Sequence, residues 1–426
     1  MDGRILTTLL LAFVALGAAP GVAAAADPPD PGVTQSFEFD SGGVAFPYLV
    51  YTPSSYSRAR PVALLVMTHG CQTTAEQQMR ANLYNQLAER EGFVVIYPDI
   101  DESGTMQPGP TRNCWRFPSP QSWHRDGGDA AAIAGMTRAT IDRFHTDPGR
   151  TYLMGMSAGG FMTSILAAAY PDLYAEVGIA AAGAYADSGC LFGNPGAPVE
   201  ASAQLARDEM GSRARIVPRM VMGGDADAGI SPACADKALE QGLRTNNLVL
   251  GDSQDSPIAL TPASVREEAA PPGHYGSTVS TYRDPAGCLI GERWLIHGMN
   301  HFWPGGSNDP KWANWTDPKG PSGAEISWRF FSRYTRSDTA MPCAEAPRAS
   351  APAGPRCRAH WLRLPFRAGS IRAKVNGRRV TARVVRGKPL VRLPGGRRAR
   401  TVVSMSGRKA SGRRFSTRRV YEGCGP

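Results

Sequence analysis

Ser157 stands in Gly155-Met156-Ser157-Ala158-Gly159, the stretch of this chain whose residue types and spacing are best suited to covalent chemistry. Thr151-Tyr152-Leu153-Met154 before it is short, apolar and strand-like, and residues 161–169 after it are Ala- and Leu-rich and read as a helix. A serine between glycines at a strand-to-helix turn is a nucleophile elbow. The turn is so sharp that only small neighbours fit, and the hydroxyl is left exposed above the sheet. In a chain with 47 glycines the bare pattern is expected by chance on the order of 0.3 times, so the flanking elements carry the weight.

A serine hydroxyl is a weak nucleophile until a base takes its proton and an acid orients that base. Where such elbows are used, the order along the chain is Ser, then Asp or Glu, then His. Gly223-Gly224-Asp225-Ala226-Asp227 directly follows an apolar run at residues 220–222, which puts a carboxylate at the C-terminal end of a strand. Asp227 is favoured over Asp225, because the acid must reach past the strand end before the chain turns back; either could instead cap a turn. For the base, His301 lies in a Gly- and Pro-rich loop after the last apolar run, whereas His297 is closer to that run and reads as a packed histidine. Of the other histidines, only His69 and His124 are expected near the site. The developing oxyanion needs backbone donors, and the amides of Ala158 and Cys71 fit that need: one follows the nucleophile, and the other ends the His69-Gly70-Cys71 loop. Trp115, Phe117, Trp123, Phe302, Trp303, Trp312 and Trp315 gather around these loops and suggest an apolar or sugar-stacking rim, with Trp115 and Trp303 as substrate-binding residues.

The elements that must position these groups follow from the apolar patterning. Residues 62–67 and 93–98 are continuous apolar runs that suit buried parallel strands. Further strands are expected at residues 151–154, 177–181, 219–222 and 293–296, an edge hairpin over 37–51, and helices over 77–90, 129–144 and 161–169. Strands alternating with helices predict the α/β class, a doubly wound, mostly parallel sheet, and with the serine elbow this resembles the α/β-hydrolase fold. Residues 346–355 are rich in Pro and Ala. Beyond them, runs at 371–375, 379–385, 389–393 and 401–405 alternate apolar with basic residues between Gly-containing turns, which predicts a small antiparallel β domain. The expected organisation is a leader at 1–26, a catalytic domain at 27–344, a linker at 345–356 and a basic β domain at 357–426.

Length and 42% apolar composition allow one large core and a small second one. Arg4, the apolar run at 5–16 and Ala24-Ala25-Ala26 read as a cleaved secretion signal, too short for a membrane anchor, which needs roughly 18–20 apolar residues. No later segment is long and apolar enough to span a bilayer. The expectation is an exported, extracellular monomer. Eight dispersed cysteines, without Cys-x-x-Cys or His-Glu-x-x-His, point to disulfides rather than a metal site, and no cofactor is expected. Cys357 and Cys424 bracket the C-terminal segment, and Cys71 and Cys114 both lie near the expected site loops. The second bridge could stabilise by roughly 4 kcal/mol in the loop-entropy model. Cys190, Cys234, Cys288 and Cys343 are left without assigned pairs. The net charge of +10 is unevenly spread: 22 of the 47 Lys and Arg residues lie beyond Met341, alongside only Glu345 and Glu422. The earlier part is acidic and the tail strongly basic, an asymmetry that suggests an anionic partner, polymer or surface for the tail.

His69-Gly70-Cys71, Cys114-Trp115, Gly128-Asp129, Gly155-Met156-Ser157-Ala158-Gly159-Gly160-Phe161-Met162-Thr163, Tyr170-Pro171-Asp172, Gly224-Asp225-Ala226-Asp227 and the run from Gly298 to Gly306 occur in order. Over about residues 33–331 this resembles the extracellular poly(3-hydroxybutyrate) depolymerase and esterase family, related to feruloyl and acetylxylan esterases. The resemblance implies Ser157 as nucleophile, Asp227 as acid, His301 as base, and the Cys71 amide in an oxyanion hole bridged to Cys114. It implies hydrolysis of carboxylic esters, polymeric ones included; acyl transfer to a sugar on the same scaffold is a separate alternative. Gln72-Thr73-Thr74, Gly128-Asp129 and Gly223-Gly224 depart from the family's usual residues and bear on the substrate rather than the chemistry. A non-catalytic binding protein on this scaffold is opposed by the complete Ser, Asp and His set.

Overall fold

The computed structural model describes residues 30–101, 112–187, 189, 196–251, 258–336, 356–357, 360–363, 368–375, 378–386, 388–393, 396–397, 400–409, 411 and 414–422. The expected leader at 1–26, nearly all of the 345–356 linker, and Cys190, Cys343 and Cys424 lie outside these residues.

Ten strands form the main sheet: β1 (Val33–Ser41), β2 (Val44–Thr52), β3 (Leu64–Thr68), β4 (Val94–Pro98), β5 (Thr151–Met156), β6 (Val177–Ala180), β7 (Arg219–Gly224), β8 (Ser264–Glu268), β9 (Ser277–Arg283) and β10 (Leu289–Ile296). Their order is β1-β2-β4-β3-β5-β6-β7-β10-β9-β8. From β4 to β10 neighbours run parallel, and an antiparallel hairpin closes each side. This is the mostly parallel, helix-covered sheet that the patterning predicts. The central strands β3, β4, β5, β6 and β7 are buried at every residue, as strands covered on both faces must be. The β1–β2 turn, Gly42-Gly43, has positive φ at both positions, the backbone that a tight hairpin needs.

Helices cover both faces. On one side α3 (Gly128–Phe144), α4 (Ala158–Ala169), α5 (Val199–Met210) and α6 (Pro232–Leu250) contribute Ile133, Phe161, Met210 and Leu243 to a continuous core. On the other, α1 (Ala75–Asn82), α2 (Tyr84–Glu91) and α7 (Gly323–Phe331) contribute Met79, Leu87 and Phe331. α4 is buried along its whole length, which makes it the central helix of the fold. The single helix expected over 77–90 is two. Leu83 adopts left-handed backbone at φ 63°, and Asn82 caps the break, its Oδ1 accepting from the Tyr84 N–H at 2.8 Å and its Nδ2 donating to the Gln78 carbonyl at 2.6 Å.

Two short strands, β11 (Trp303–Pro304) and β12 (Thr316–Asp317), pair in the loop after β10. The C-terminal part is antiparallel β, as the alternation predicts: β13 (Arg356–Cys357) with β19 (Gly396–Arg397); β14 (His360–Arg363), β18 (Lys388–Leu393) and β17 (Ala382–Val385); and β16 (Arg378–Val380), β15 (Ala368–Val375), β20 (Arg400–Lys409) and β21 (Arg414–Glu422). Leu362, Ala373, Val375, Val391, Leu393, Val403 and Met405 give it a core of its own. No helix among the described residues is long and apolar enough to cross a membrane.

Candidate active site

Ser157 joins β5 to α4 with φ 54° and ψ −121°, a backbone that a non-glycine residue adopts only when its surroundings hold it there. Those surroundings leave no room for side chains. A Cβ at Gly155 would lie 2.2 Å from the Gly159 carbonyl oxygen, and one at Gly159 would lie 2.4 Å from that of Thr68. The Ser157 N–H donates to the Ala180 carbonyl at 2.9 Å, and the Thr68 hydroxyl donates to the Gly159 carbonyl at 3.0 Å. The small residues of the motif are therefore a packing requirement.

Two loops from the ends of β7 and β10 meet this turn. His301 Nε2 is 3.0 Å from Ser157 Oγ, and His301 Nδ1 is 2.9 Å from Asp227 Oδ2 and 3.1 Å from Oδ1. With Nδ1–H donating to the carboxylate, Nε2 is free to accept the serine proton. Asp227 is fixed by the Gly229 and Ile230 N–H groups, which both donate to its Oδ1 at 2.8 Å. Its side chain is 2% exposed and that of His301 18%, so the pair is shielded while the ring keeps one open edge. Asn300 Oδ1 accepts from the Ala228 and His301 amides, which ties the acid loop to the base loop.

Asp225 has a different place. It accepts from the Gly298 N–H and pairs with His297 Nδ1 at 3.0 Å, forming an outer clasp between the same two loops. The backbone hydrogen bond from Gly298 holds Asp225 below the usual carboxylate range despite partial burial. Its hydrogen bond to His297 raises that imidazole above its ordinary value, with Glu267 adding to the effect.

The profile of the family described as Esterase PHB depolymerase matches residues 46–271, from β2 to the loop beyond β8. The chain belongs to that family. Acetylxylan esterase A of Emericella nidulans is 36% identical over 166 residues, 38% of this chain and 50% of that protein. Feruloyl esterase B of Thermothelomyces thermophilus is 30% identical over 221 residues, 48% of this chain and 72% of that protein. This chain thus spans about half the length of the first of these relatives. Among solved structures, an acetyl xylan esterase from Aspergillus awamori shares the fold at a TM-score of 0.50 and 21% identity, covering 63% of this chain and 94% of that one.

In this family member the loop after β3 stands against the serine. A Cβ at Gly70 would lie 3.2 Å from Ser157 Cβ, and Cys71 and Ser157 line one cavity. A disulfide joins Cys71 to Cys114. The buried His69 ring hydrogen-bonds the Gly70 carbonyl through Nδ1 at 2.7 Å, its Nε2 lies 3.1 Å from Asp99 Oδ1, and the Thr73 hydroxyl donates to the same Gly70 carbonyl at 2.7 Å. Cys234 and Cys288, left unassigned above, are both disulfide-bonded. The pairing of Cys357 with Cys424 falls outside the described side chains. His124 pairs with Glu209 at 2.8 Å.

Trp115 and Trp303, expected as substrate-binding residues, are each only 1% exposed. Trp115 lies 5.0 Å from the His69 ring in the loop after β3 and donates from Nε1 to the His69 carbonyl. Trp303 packs 5.7 Å from Tyr84 and against Gly323. The indole that borders the cavity beside Ser157 is Trp315, together with Gln72, Thr73, Gln78, Met156 and His301. A second cavity continues from it through Gln72, Thr73, Gln78 and Trp315 to Gln77, Lys311, Trp312 and Asn314. Trp303 also lines this second cavity, and its Nε1–H has no hydrogen-bond partner among the described residues.

A support for the site that the sequence reading missed is Arg116. Its backbone N–H donates to Asp129 Oδ2 at 2.6 Å, its Nε to Asp129 Oδ1 at 3.0 Å, and its Nη2 also pairs with Asp101. Asp129, wholly buried in the first turn of α3, thereby holds the Cys114-Trp115-Arg116 segment, which the Cys71–Cys114 bridge ties to the loop after β3. Burial pushes the Asp129 carboxyl up, and Arg116 opposes the rise.

Proposed function

We propose that this chain is a serine esterase that hydrolyses carboxylic esters through an acyl-enzyme. Ser157 is the nucleophile, His301 the general base and acid, and Asp227 the carboxylate that orients the imidazole. The hydrogen-bonded chain Asp227–His301–Ser157 at the end of β5 carries this reading. His301 Nε2 takes the hydroxyl proton as Oγ attacks the ester carbonyl, and the N–H groups of Cys71 and Ala158 hold the oxyanion. Collapse breaks the C–O bond to the alcohol, which leaves with the proton from His301. Water then gives its proton to His301 and attacks the acyl-Ser157 carbonyl, so the carboxylic acid departs and the serine recovers its proton. Ser157→Ala is expected to abolish turnover of p-nitrophenyl acetate and labelling by a fluorophosphonate, with an unchanged circular dichroism spectrum. Retained turnover would remove the serine mechanism.

The family resemblance puts poly(3-hydroxybutyrate) forward as substrate. The cavity lining supports a second reading, an acetyl or feruloyl ester on a sugar. Amide side chains of Gln72, Gln77, Gln78 and Asn314 beside Trp312 and Trp315 suit hydroxyl-rich rings better than a polyester chain. Initial rates on a polyester film, acetylated xylan and a feruloylated arabinoside separate the two. The protein is read as an exported monomer with a leader at 1–26, a catalytic domain at 27–344, a linker at 345–356 and a basic domain at 357–426. The Cys71–Cys114 bridge supports export into an oxidising compartment.

A further inference from the structure

The sheet formed by β15, β16, β20 and β21 has one apolar and one polar face. Ala373, Val375, Val403 and Met405 point into the C-terminal core, and Arg372, Lys374, Arg379, Ser404, Ser406 and Ser416 on the same strands are exposed. On the exposed face, Lys374 stands opposite Arg379 on one side and Ser404 on the other. Two residues along β15, about 7 Å away, Arg372 stands opposite Ser406, which itself faces Ser416. These six residues border one open trough, a basic half joined to a hydroxyl-bearing half. Like charges directly opposite one another on a sheet destabilise it. No Asp or Glu occurs anywhere between residues 346 and 421 to offset them. Such a face is relieved by an external polyanion.

The rest of the trough narrows the partner. Among the described residues its lining contains no aromatic ring, so these offer no stacking platform for single-stranded nucleic acid. It is the face of a four-stranded sheet, not a helix or a two-stranded ribbon, the shapes that the major groove of a duplex admits. Among its described lining residues there is no exposed large apolar side chain to insert into a bilayer. Cations paired with serine hydroxyls match a chain that alternates carboxylates with hydroxyls. We propose that this face binds a carboxylated polysaccharide, Arg372, Lys374 and Arg379 taking the uronate groups and Ser404, Ser406 and Ser416 the neighbouring hydroxyls. The inference does not depend on the ester chemistry.

Full-length protein tests it by affinity electrophoresis in gels containing polygalacturonate or a neutral β-glucan, and by titration with single-stranded DNA and with phosphatidylglycerol vesicles. Retardation by polygalacturonate alone is expected, weakening strongly between about 50 mM and about 500 mM salt. The combined variant Arg372→Ser, Lys374→Ser, Arg379→Ser is expected to bind about tenfold more weakly or worse. Arg372→Lys with Arg379→Lys keeps the charges and stays within a few-fold of the parent. p-Nitrophenyl acetate turnover is unchanged in all of them, and a parent-like circular dichroism spectrum and urea unfolding curve report that the C-terminal sheet still folds in each variant. Ser157→Ala binds polygalacturonate like the parent whether or not the esterase reading holds. Equal or tighter binding to DNA or to vesicles, or undiminished binding by the combined Arg372→Ser, Lys374→Ser, Arg379→Ser variant, overturns the proposal.

Discussion

Two carboxylates two residues apart occupy unlike surroundings, and this difference assigns them different tasks. Asp227 is buried, accepts two amide protons and holds His301; Asp225 is half-exposed and holds His297 instead. Asp227→Asn is expected to lower kcat of ester hydrolysis by about 10⁴-fold with little change in KM, because the amide favours the wrong imidazole tautomer. Asp225→Asn is expected to leave kcat within a few-fold. Steady-state kinetics on one soluble ester decides between them. The positions of Ser157, Asp227 and His301 are legible in the sequence because each follows an apolar run that ends at the same side of the sheet. The burial of Trp115 and Trp303 is not legible, since a tryptophan in a loop looks the same whether solvent or a second loop covers it. Trp315 becomes distinguishable only once β11 and β12 have folded the loop back.

The central strands are readable as unbroken apolar runs, whereas β8 (Ser-Val-Arg-Glu-Glu) carries an exposed, charged edge that no core periodicity marks. The break between α1 and α2 escaped for a related reason: Met79, Leu83 and Leu87 keep helical spacing across a capping asparagine. The anchoring of the Cys114-Trp115-Arg116 segment to α3 is a contact between residues far apart in the chain, and no local pattern announces it. Its energetic weight can be measured. Arg116→Met removes the cation that compensates a wholly buried Asp129, and this is expected to cost about 3 kcal/mol near neutral pH. Because burial already pushes the Asp129 carboxyl up, acid relieves the defect by neutralising it, so the gap to the parent in urea midpoint should narrow as pH falls. A gap independent of pH would mean that the loss is one of packing alone.

Over the whole molecule, the outer clasp makes stability depend on pH in a definite sense. His297 is raised by Asp225, so its contribution is complete below the imidazole's unfolded value, about 6.5, and fades as pH rises through the higher folded value. Asp225 is lowered, so its contribution is complete above about 3.9 and is lost as pH falls through the lower folded value. The clasp is therefore strongest between these two limits. His297→Gln is expected to flatten the decline in Tm on the alkaline side, as scanning calorimetry from about pH 6 to about pH 9 would report. An equal decline in both proteins would put the pH dependence elsewhere. At this scale the split between an acidic sheet-and-helix body and a basic antiparallel tail is plain from charge and alternation alone. Which face of that tail would carry its cations had to await the register between strands.

The bridge from Cys71 to Cys114 has a practical corollary for anyone making this protein. It ties the backbone beside Ser157 to a loop that is otherwise distant in the chain. Material produced in the cytosol of a laboratory bacterium, where thiols stay reduced, should be well folded by circular dichroism yet slow as a catalyst. Incubation with a glutathione redox pair should recover the rate over the seconds to hours typical of thiol oxidation, whereas batches routed to the periplasm should need no such treatment.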